Sequence, residues 1–277
     1  MFTLNCKGKL IVIDKPLVMG IINVTPDSFY EGSRQQTGES ILAQATNMIN
    51  EGADIIDVGG QSTRPGSERI SVKEELERVL PAIEIILKSF PGTIISVDTY
   101  QSQVASTCVN AGASIINDIS AGNLDSEMIP TVAKLGIPYI CMHMKGSPEN
   151  MQKDPAYENI TREVLDFFIQ KTDDCTRAGI NDIIIDPGFG FGKTISHNFR
   201  LLKELHAFKM LERPILAGIS RKSTIYKTLG TTAEEALNGS TVLHTLALQN
   251  GADILRVHDV KEAKEAITLY IRYTEPT

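Results

Sequence analysis

A short phrase recurs four times in this chain, and its pattern restricts the fold to a repeating α/β type. Each copy starts with a glycine, continues through an apolar, isoleucine-rich run and ends in polar residues. The glycine is typical of a helix C-terminus, and the run is typical of a strand buried on both faces of a parallel sheet. The copies are Gly52-Ala-Asp-Ile-Ile-Asp-Val-Gly-Gly60, Gly112-Ala-Ser-Ile-Ile-Asn-Asp118, Gly179-Ile-Asn-Asp-Ile-Ile-Ile-Asp186 and Gly251-Ala-Asp-Ile-Leu-Arg-Val-His-Asp259.

Three more strands fit between these copies, at 93–97, 137–141 and 214–217, and a fourth, at 17–24, precedes the first copy. Helical patterns are expected near 38–51, 73–88, 101–111, 124–135, 159–178, 197–208, 233–250 and 260–272. Eight units of about 35 residues favour a (β/α)8 TIM barrel with its active site at the C-terminal ends of the strands. An open doubly wound sheet is the alternative, but it usually has fewer and less regularly spaced strands. We expect one domain over 1–277, with 1–16 as an N-terminal hairpin or loop.

The composition indicates which class of binding partner and which cellular compartment to expect. The net charge is −7 and no basic run occurs, which argues against nucleic acid as the main partner. The four cysteines are scattered, without the spacing of a metal site or a disulfide framework. The N-terminus does not resemble a signal peptide, and no apolar run approaches the ~18 residues of a membrane span. We therefore expect a cytoplasmic protein without membrane contact.

One strand end has an unusual sequence. The apolar run 183–185 stops at Asp186, and Pro187 and glycines at 188, 190 and 192 then break the strand into a loop. A carboxylate at the end of a buried strand needs a partner, because burial disfavours its charged form. Asp186 either caps a helix or pairs with a nearby cation, or it binds a ligand at the mouth of the barrel.

Other polar residues occupy equivalent positions at the strand ends. They are Asn23, Asp57, Asp98, Asn117, His143, Asp186, Lys222, Arg256 and His258. Any single one of them, such as Asp57 or Asp118, could serve only to tie loops together, but the whole set exceeds what solubility explains. The set lacks the His and Cys cluster of a zinc site, a nucleophile elbow and a dinucleotide fingerprint. It fits a mouth that binds the edge of a heterocycle through carboxylates and an amide, and an anion through arginine and histidine.

The motifs around these residues resemble the dihydropteroate synthase family over essentially the whole chain. Eight phrases carry the resemblance: Met19-Gly-Ile-Ile-Asn-Val-Thr-Pro-Asp-Ser-Phe29, Asp57-Val-Gly-Gly-Gln-Ser-Thr-Arg-Pro-Gly66, Ser96-Val-Asp-Thr99, Asn117-Asp118, Met142-His-Met-Lys-Gly-Ser-Pro148, Asp186-Pro-Gly-Phe-Gly-Phe-Gly-Lys193, Gly218-Ile-Ser-Arg-Lys-Ser223 and Arg256-Val-His258. The resemblance implies that 4-aminobenzoate is joined to 6-hydroxymethyl-7,8-dihydropterin diphosphate, giving dihydropteroate and pyrophosphate. It also implies Mg²⁺ as a cofactor, a homodimer and a target for sulfonamides.

The resemblance also implies a role for each matching residue. The pterin-binding set is Asp98, Asn117, Met142, Asp186, Phe191, Lys222 and Arg256. The diphosphate-binding set is Asn23, Thr63, Arg64, Arg256 and His258, with Asn23 also on the metal. The aminobenzoate-binding set is Phe29, Thr63, Pro65, Phe191, Lys222 and Ser223. The residues expected to take part in catalysis are Asp98, Asp186, Lys222 and Arg256.

The chemistry of these residue types agrees with the implied reaction. A diphosphate leaving a benzylic-type carbon favours a dissociative, SN1-like step, which buried aspartates would stabilise on the pterin side. The aniline nitrogen is already a nucleophile, so no strong base is needed. Loops 24–36 and 61–72 are expected to close over the site and exclude water.

Two positions depart from the family pattern, and two rival functions use a similar barrel. Glu31 stands where the family usually has aspartate, and Gln61 stands where it usually has glutamate.

A pterin-binding methyltransferase domain is the nearest rival function, but it has no need for the run 220–223. A non-catalytic pterin-binding module would be expected to lose the motif residues in 23–29 and 62–65, which are present.

Overall fold

The structure is a computed structural model that describes residues 1–24, 34–62, 67–148, 151 and 155–275. The strands in these ranges are β1 (Phe2–Cys6), β2 (Lys9–Ile13), β3 (Leu17–Asn23), β4 (Ile55–Gly59), β5 (Ile94–Asp98), β6 (Ile115–Asp118), β7 (Tyr139–Met142), β8 (Ile183–Asp186), β9 (Leu216–Ala217) and β10 (Ile254–Val257). The helices are α1 (Arg34–Asn50), α2 (Val72–Ser89), α3 (Ser102–Asn110), α4 (Met128–Leu135), α5 (Ile160–Ala178), α6 (Ile195–Lys203), α7 (Ser223–Leu229), α8 (Leu237–Gln249) and α9 (Val260–Thr274), with a 3-10 helix at Leu205–Leu211.

The sheet formed by β3 to β10 is a parallel barrel, as the sequence predicts. Its eight strands lie in the order β8-β7-β6-β5-β4-β3-β10-β9. A parallel bridge between Ile185 and Ile215 joins the two ends of this order and closes the barrel. The predicted TIM barrel is therefore confirmed, and the open sheet is excluded.

The barrel interior is filled by layers of side chains. Because side chains alternate between the two faces of a strand, every second residue of each strand points inward. The inward apolar residues, all at most 5% exposed, are Leu17, Met19, Ile55, Ile94, Ile115, Ile140, Ile184, Leu216 and Ile254. They form a packed core below the mouth, as expected for this fold.

The first two strands seal the bottom of the barrel. β1 and β2 form an antiparallel hairpin that turns at Lys7 and Gly8, both with positive φ. Leu4, Cys6 and Ile13 pack against the lowest interior layer and are at most 3% exposed. The predicted N-terminal hairpin is thus a plug, and its buried face explains why the segment is ordered.

Several helix predictions differ from the structure for local reasons. The helix expected over 197–208 begins at Ile195 and ends at Lys203, and the chain continues as a 3-10 helix. Leu205 and Phe208, both fully buried, lie on the same side of that helix because its period is three residues. Helix α7 was not predicted, since its seven residues are too few to show a clear apolar period. Within the described residues, no helix is long and apolar enough to cross a bilayer.

Candidate active site

A layer of polar side chains lies on top of the apolar interior. Its members follow interior isoleucines or their equivalent by two residues, on alternate strands of the barrel, which is how such barrels build a layer. They are Asp57 on β4, Asn117 on β6, Asp186 on β8 and Arg256 on β10. Asp98, at the end of β5, lies beside them. The strand order therefore converts four distant positions of the sequence into one polar surface.

The guanidinium of Arg256 links two carboxylates across the barrel. Its Nε donates to Oδ2 of Asp57 and its Nη2 donates to Oδ2 of Asp98, each at 2.7 Å. Oδ2 of Asp57 also accepts a hydrogen bond of 3.0 Å from Nδ2 of Asn117. Burial raises the pKa of Asp98, which Arg256 opposes. Since two carboxylates face one guanidinium, this side of the mouth favours cationic or donor-rich ligands.

Asp186 and Lys222 form the other side of the layer. Oδ1 of Asp186 accepts from the backbone N–H of Gly188 at 2.8 Å, and Nζ of Lys222 donates to the carbonyl of Phe189 at 2.6 Å. A methyl group built on Gly218 would lie 3.7 Å from Nζ of Lys222 and 3.8 Å from Oδ2 of Asp186. Because Gly218 has no side chain, the space between the two charged groups is left open. Burial raises the pKa of Asp186 and lowers the pKa of Lys222 to about 8, and each partner opposes the other's shift.

The loop after β8 is held by a buried lysine that the sequence did not single out. Nζ of Lys193 lies 2.9 Å from Nδ1 of His143 and donates to the carbonyls of Gly188 and Phe191 at 2.9 and 3.0 Å. Burial and the nearby Lys193 lower the pKa of His143 to about 2, so the imidazole is neutral and Nδ1 accepts. His143, counted from the sequence among the mouth residues, therefore ties loops together. At Gly188 a Cβ would lie 1.9 Å from the carbonyl oxygen of His143, so this close approach requires glycine.

The remaining predicted residues surround the polar layer. Met142 is buried in an apolar cluster with Tyr100 and Ile119, and Phe191 packs against it. The ring of Phe191 also lies 4.7 Å from Nζ of Lys222. The described residues nearer the rim are Asn23 at the end of β3, Ser223 at the start of α7 and His258, whose backbone N–H donates to Oγ of Ser220 at 3.2 Å. Phe29, Glu31, Thr63, Arg64 and Pro65 lie outside the described residues.

Sequence reasoning identified Asp57 as a strand-end residue but gave it no part in binding. The structure places it at the centre of the layer, fully buried, with bonds to both Arg256 and Asn117. The spacing of two residues from Ile55 was the available signal. Asp118, in contrast, has the loop-tying role considered for it, since it accepts from Tyr139 and from Ser120 and Gly122.

Comparison with known proteins agrees with this arrangement. Residues 19–258, from β3 to just beyond β10, match the family profile described as pterin binding enzyme. The sequence is 44% identical over 266 residues to the dihydropteroate synthase of Escherichia coli (strain K12), covering 95% of this chain and 94% of that protein. The chain belongs to the dihydropteroate synthase family.

Solved structures of other dihydropteroate synthases have the same fold. The Yersinia pestis enzyme, in a complex with a sulfonamide drug, aligns with a TM-score of 0.93 at 39% identity over 99% of each chain. The Xanthomonas albilineans enzyme with 4-aminobenzoic acid aligns with a TM-score of 0.92 at 40% identity over 98% of each chain. The alignments cover the barrel and the hairpin together.

Gln61, one of the two departures from the usual pattern of dihydropteroate synthases, uses both ends of its amide. Its Nε2 donates to the carbonyls of Ser62 and Glu68 at 2.8 and 2.9 Å, and its Oε1 accepts from the N–H of Ile70 at 2.9 Å. The side chain is 8% exposed. It therefore joins the chain before residues 63–66 to the chain after them, and two of the three bonds need a donor that glutamate lacks.

The first prediction is that Gln61→Glu destabilises the protein. A carboxylate would face the carbonyl oxygens of Ser62 and Glu68 at hydrogen-bond distance, so both bonds that Nε2 donates would be replaced by repulsion between oxygens. We expect the free energy of unfolding in urea to fall by about 1–3 kcal/mol. Gln103→Glu, the same change at an exposed position of α3, is the matched control and should change it by less than about 0.5 kcal/mol. Equal stability of the two variants would contradict the role given to the Gln61 amide.

Proposed function

We propose that this protein is a dihydropteroate synthase that joins 6-hydroxymethyl-7,8-dihydropterin diphosphate to 4-aminobenzoate in folate biosynthesis. The bond between the pterin methylene carbon and the diphosphate oxygen breaks, and a bond from that carbon to the aniline nitrogen forms. Pyrophosphate leaves with the bonding electron pair, and the nitrogen loses one proton. The observation that carries the proposal is the polar layer of Asp57, Asn117, Asp186 and Arg256 at the mouth of the barrel, in a chain that belongs to the dihydropteroate synthase family.

The pterin lies on this layer in the proposal. Asp98, Asn117, Asp186 and Lys222 bind its polar edge, because a pterin edge carries ring N–H and amino donors together with acceptors. Met142 and Phe191 supply apolar contact to the ring faces, in line with their place in the apolar cluster beside the layer. The guanidinium of Arg256 packs against the ring and reaches toward the leaving group.

The charges of the layer suit a dissociative step. As the carbon–oxygen bond lengthens, positive charge spreads into the pterin, and Asp98 and Asp186 are fixed carboxylates that stabilise it. Both are buried, at 7% and 4% exposure, where such interactions are stronger than in water. Their hydrogen bonds to Arg256 and to the Gly188 N–H hold them in place before the reaction begins.

The diphosphate lies toward the rim in the proposal, with Asn23, Thr63, Arg64, Arg256 and His258. Bound Mg²⁺ would supply positive charge beside the leaving pyrophosphate. Within the described residues, no group of three His, Cys, Asp or Glu side chains could hold a metal. The amide oxygen of Asn23 is a hard oxygen ligand and could hold Mg²⁺, because this ion usually keeps several waters, binds substrate phosphates and uses few protein groups. The aminobenzoate pocket is assigned to Phe29, Thr63, Pro65, Phe191, Lys222 and Ser223, where a sulfonamide would compete.

Mixing the two substrates with Mg²⁺ and measuring pyrophosphate release and dihydropteroate formation tests the activity. We expect stoichiometric amounts of both products. A methyltransferase domain or a non-catalytic pterin-binding module would bind the pterin and release no pyrophosphate. Binding of the pterin without release of pyrophosphate would therefore reject the proposed reaction.

A second prediction concerns Lys222 and pH. If its ammonium donates to the pterin, affinity should fall above pH 8, because the pKa of Lys222 is lowered to about 8 by burial and the group loses its proton there. The fall should approach ten-fold per pH unit for one linked proton. Calorimetry of wild type and Lys222→Arg with the same pterin tests this, since arginine keeps its charge and titration of the ligand affects both proteins equally. If the pterin affinity of wild type and of Lys222→Arg changes with pH in the same way, the ammonium of Lys222 does not donate to the ligand.

A homodimer, a cytoplasmic location and a single domain over 1–277 complete the proposal. Helices α8 and α9 pack against each other and expose Val242, Leu246, Leu269 and Tyr273, a set of apolar side chains that a second copy could cover. All four cysteines are unpaired thiols, as expected in a reducing compartment. Light scattering of the purified protein would decide between monomer and dimer.

A further inference from the structure

The amide of Asn117 has two different ends, and the function of this residue depends on which end faces the mouth. Its Nδ2 donates to Oδ2 of Asp57 at 3.0 Å. A carboxylate that is bonded to a guanidinium can only accept, so it requires the NH₂ end of the amide. Oδ1 of Asn117 is consequently directed away from Asp57 and left as an acceptor.

Asp57 is itself held in place. It is fully buried on β4, and its Oδ2 accepts from Nε of Arg256 at 2.7 Å as well as from Asn117. Its Oδ1 is buried without a hydrogen-bond partner among the described residues. A buried carboxylate oxygen left without a partner is costly, so its presence here points to a function of the residue rather than to stability alone.

The two neighbours of Asp57 depend on it unequally. Arg256 has a second carboxylate, Asp98, bonded to Nη2 at 2.7 Å, so its guanidinium keeps one anchor without Asp57. For Asn117, Asp57 is the one side-chain partner among the described residues. Loss of the acceptor at position 57 should therefore release the amide of Asn117 much more than it releases Arg256.

We propose that Asp57 is a positioning residue that fixes the amide of Asn117 with its oxygen toward the pterin, so that the site accepts a hydrogen bond from the ligand at that point. The inference rests on the proposed pterin site and states which end of the Asn117 amide faces the ligand. With the amide free to rotate, the NH₂ end would meet the N–H donors of the pterin edge in part of the population. Asp57 acts here through the oxygen that it presents and not through its charge.

Two substitutions distinguish the effect of the acceptor oxygen at position 57 from the effect of its negative charge. In Asp57→Asn the amide oxygen can occupy the place of Oδ2 and accept both existing bonds, whereas Asp57→Ala offers no acceptor. We expect calorimetry with 6-hydroxymethylpterin to show affinity within about three-fold of wild type for Asp57→Asn and at least ten-fold weaker for Asp57→Ala. If both variants lose affinity equally, the charge of Asp57 matters and the proposal is overturned.

A double-mutant cycle tests whether the effect passes through Asn117. In an Asn117→Ala background, Asp57→Ala should weaken 6-hydroxymethylpterin binding by less than about three-fold, because no amide remains to be oriented. Full additivity of the two substitutions would overturn the proposal. Asp57→Leu replaces Asp57→Ala if the smaller side chain prevents folding, since leucine fills the space and also lacks an acceptor.

The matched control is Asp118→Asn. Asp118 is also fully buried, on β6 next to Asn117, but its oxygens accept from Tyr139, Ser120 and Gly122 outside the polar layer. This variant should bind 6-hydroxymethylpterin within two-fold of wild type, and a loss as large as that of Asp57→Ala would mean that any buried aspartate here has the same effect. Failure of wild type to bind would reject the pterin site itself, and this inference with it.

Discussion

Asp186→Asn is expected to lower the affinity for a pterin ligand by about 10- to 100-fold, the effect of losing a charge-assisted hydrogen bond of roughly 1.5–3 kcal/mol. Oδ1 of Asp186 accepts from the N–H of Gly188 at 2.8 Å. An asparagine must keep its oxygen on that N–H, so its NH₂ would take the place of Oδ2. A donor would then face Lys222 and the donors of the pterin. Calorimetry with 6-hydroxymethylpterin measures the change.

Asp182→Asn is the control for this substitution. Asp182 immediately precedes β8, the strand that Asp186 ends, and accepts at 2.7 Å from the N–H of Asn5 in the hairpin. The variant tests loss of an aspartate charge at the opposite end of the barrel, and its pterin affinity should stay within two-fold of wild type. Unchanged affinity in Asp186→Asn would remove Asp186 from the binding site.

Arg256→Lys is expected to lower kcat/KM by about 100-fold or more while the protein stays folded. The guanidinium reaches Asp57 with Nε and Asp98 with Nη2 at once. A single ammonium lacks this planar fork and the flat surface that packs on a ring. Lysine would therefore lose the proposed charge-assisted contact to the leaving diphosphate, worth roughly 1.5–3 kcal/mol or about 10- to 100-fold, and the lost ring contact adds to that. Steady-state pyrophosphate release measures the change.

The control for Arg256→Lys is Arg177→Lys on the outer surface of α5, where the guanidinium pairs with Asp173 and is 75% exposed. An exposed pair of this kind contributes little, so the kinetic constants should match wild type. Near wild-type turnover in Arg256→Lys would show that positive charge alone is enough at this position.

The regular features of the fold could be predicted because they depend on local patterns. Each barrel strand is a short apolar run, and in the repeated units a glycine opens the run and a polar residue closes it. Helix α7 was missed because its seven residues give too short a pattern. The helix predicted to run through 208 becomes a 3-10 helix at Leu205, a change that depends on tertiary packing of Leu205 and Phe208 more than on their types.

The site was predicted as a collection of strand ends, and its internal connections were not. Which side chains meet across the barrel depends on the stagger between strands, and a single sequence does not reveal that stagger. Asp57 on β4 thus meets Arg256 on β10, 199 positions away in sequence. Lys193 was quoted only as part of a motif, and its four acceptors come from a loop geometry that follows from the close approach at Gly188.

The hairpin at the N-terminus has a consequence for the order in which molecules move. Leu4, Cys6 and Ile13 close the barrel from below, and the interior layer above them is packed with apolar side chains. Among the described residues, the hairpin and this apolar layer block the polar layer from below, so a ligand reaches it from the mouth. A molecule that lies on it must arrive before one that lies nearer the rim, and it must leave after that one or joined to it. In the proposed reaction the pterin enters first, aminobenzoate follows, and the joined product leaves along the path by which its deeper half came in.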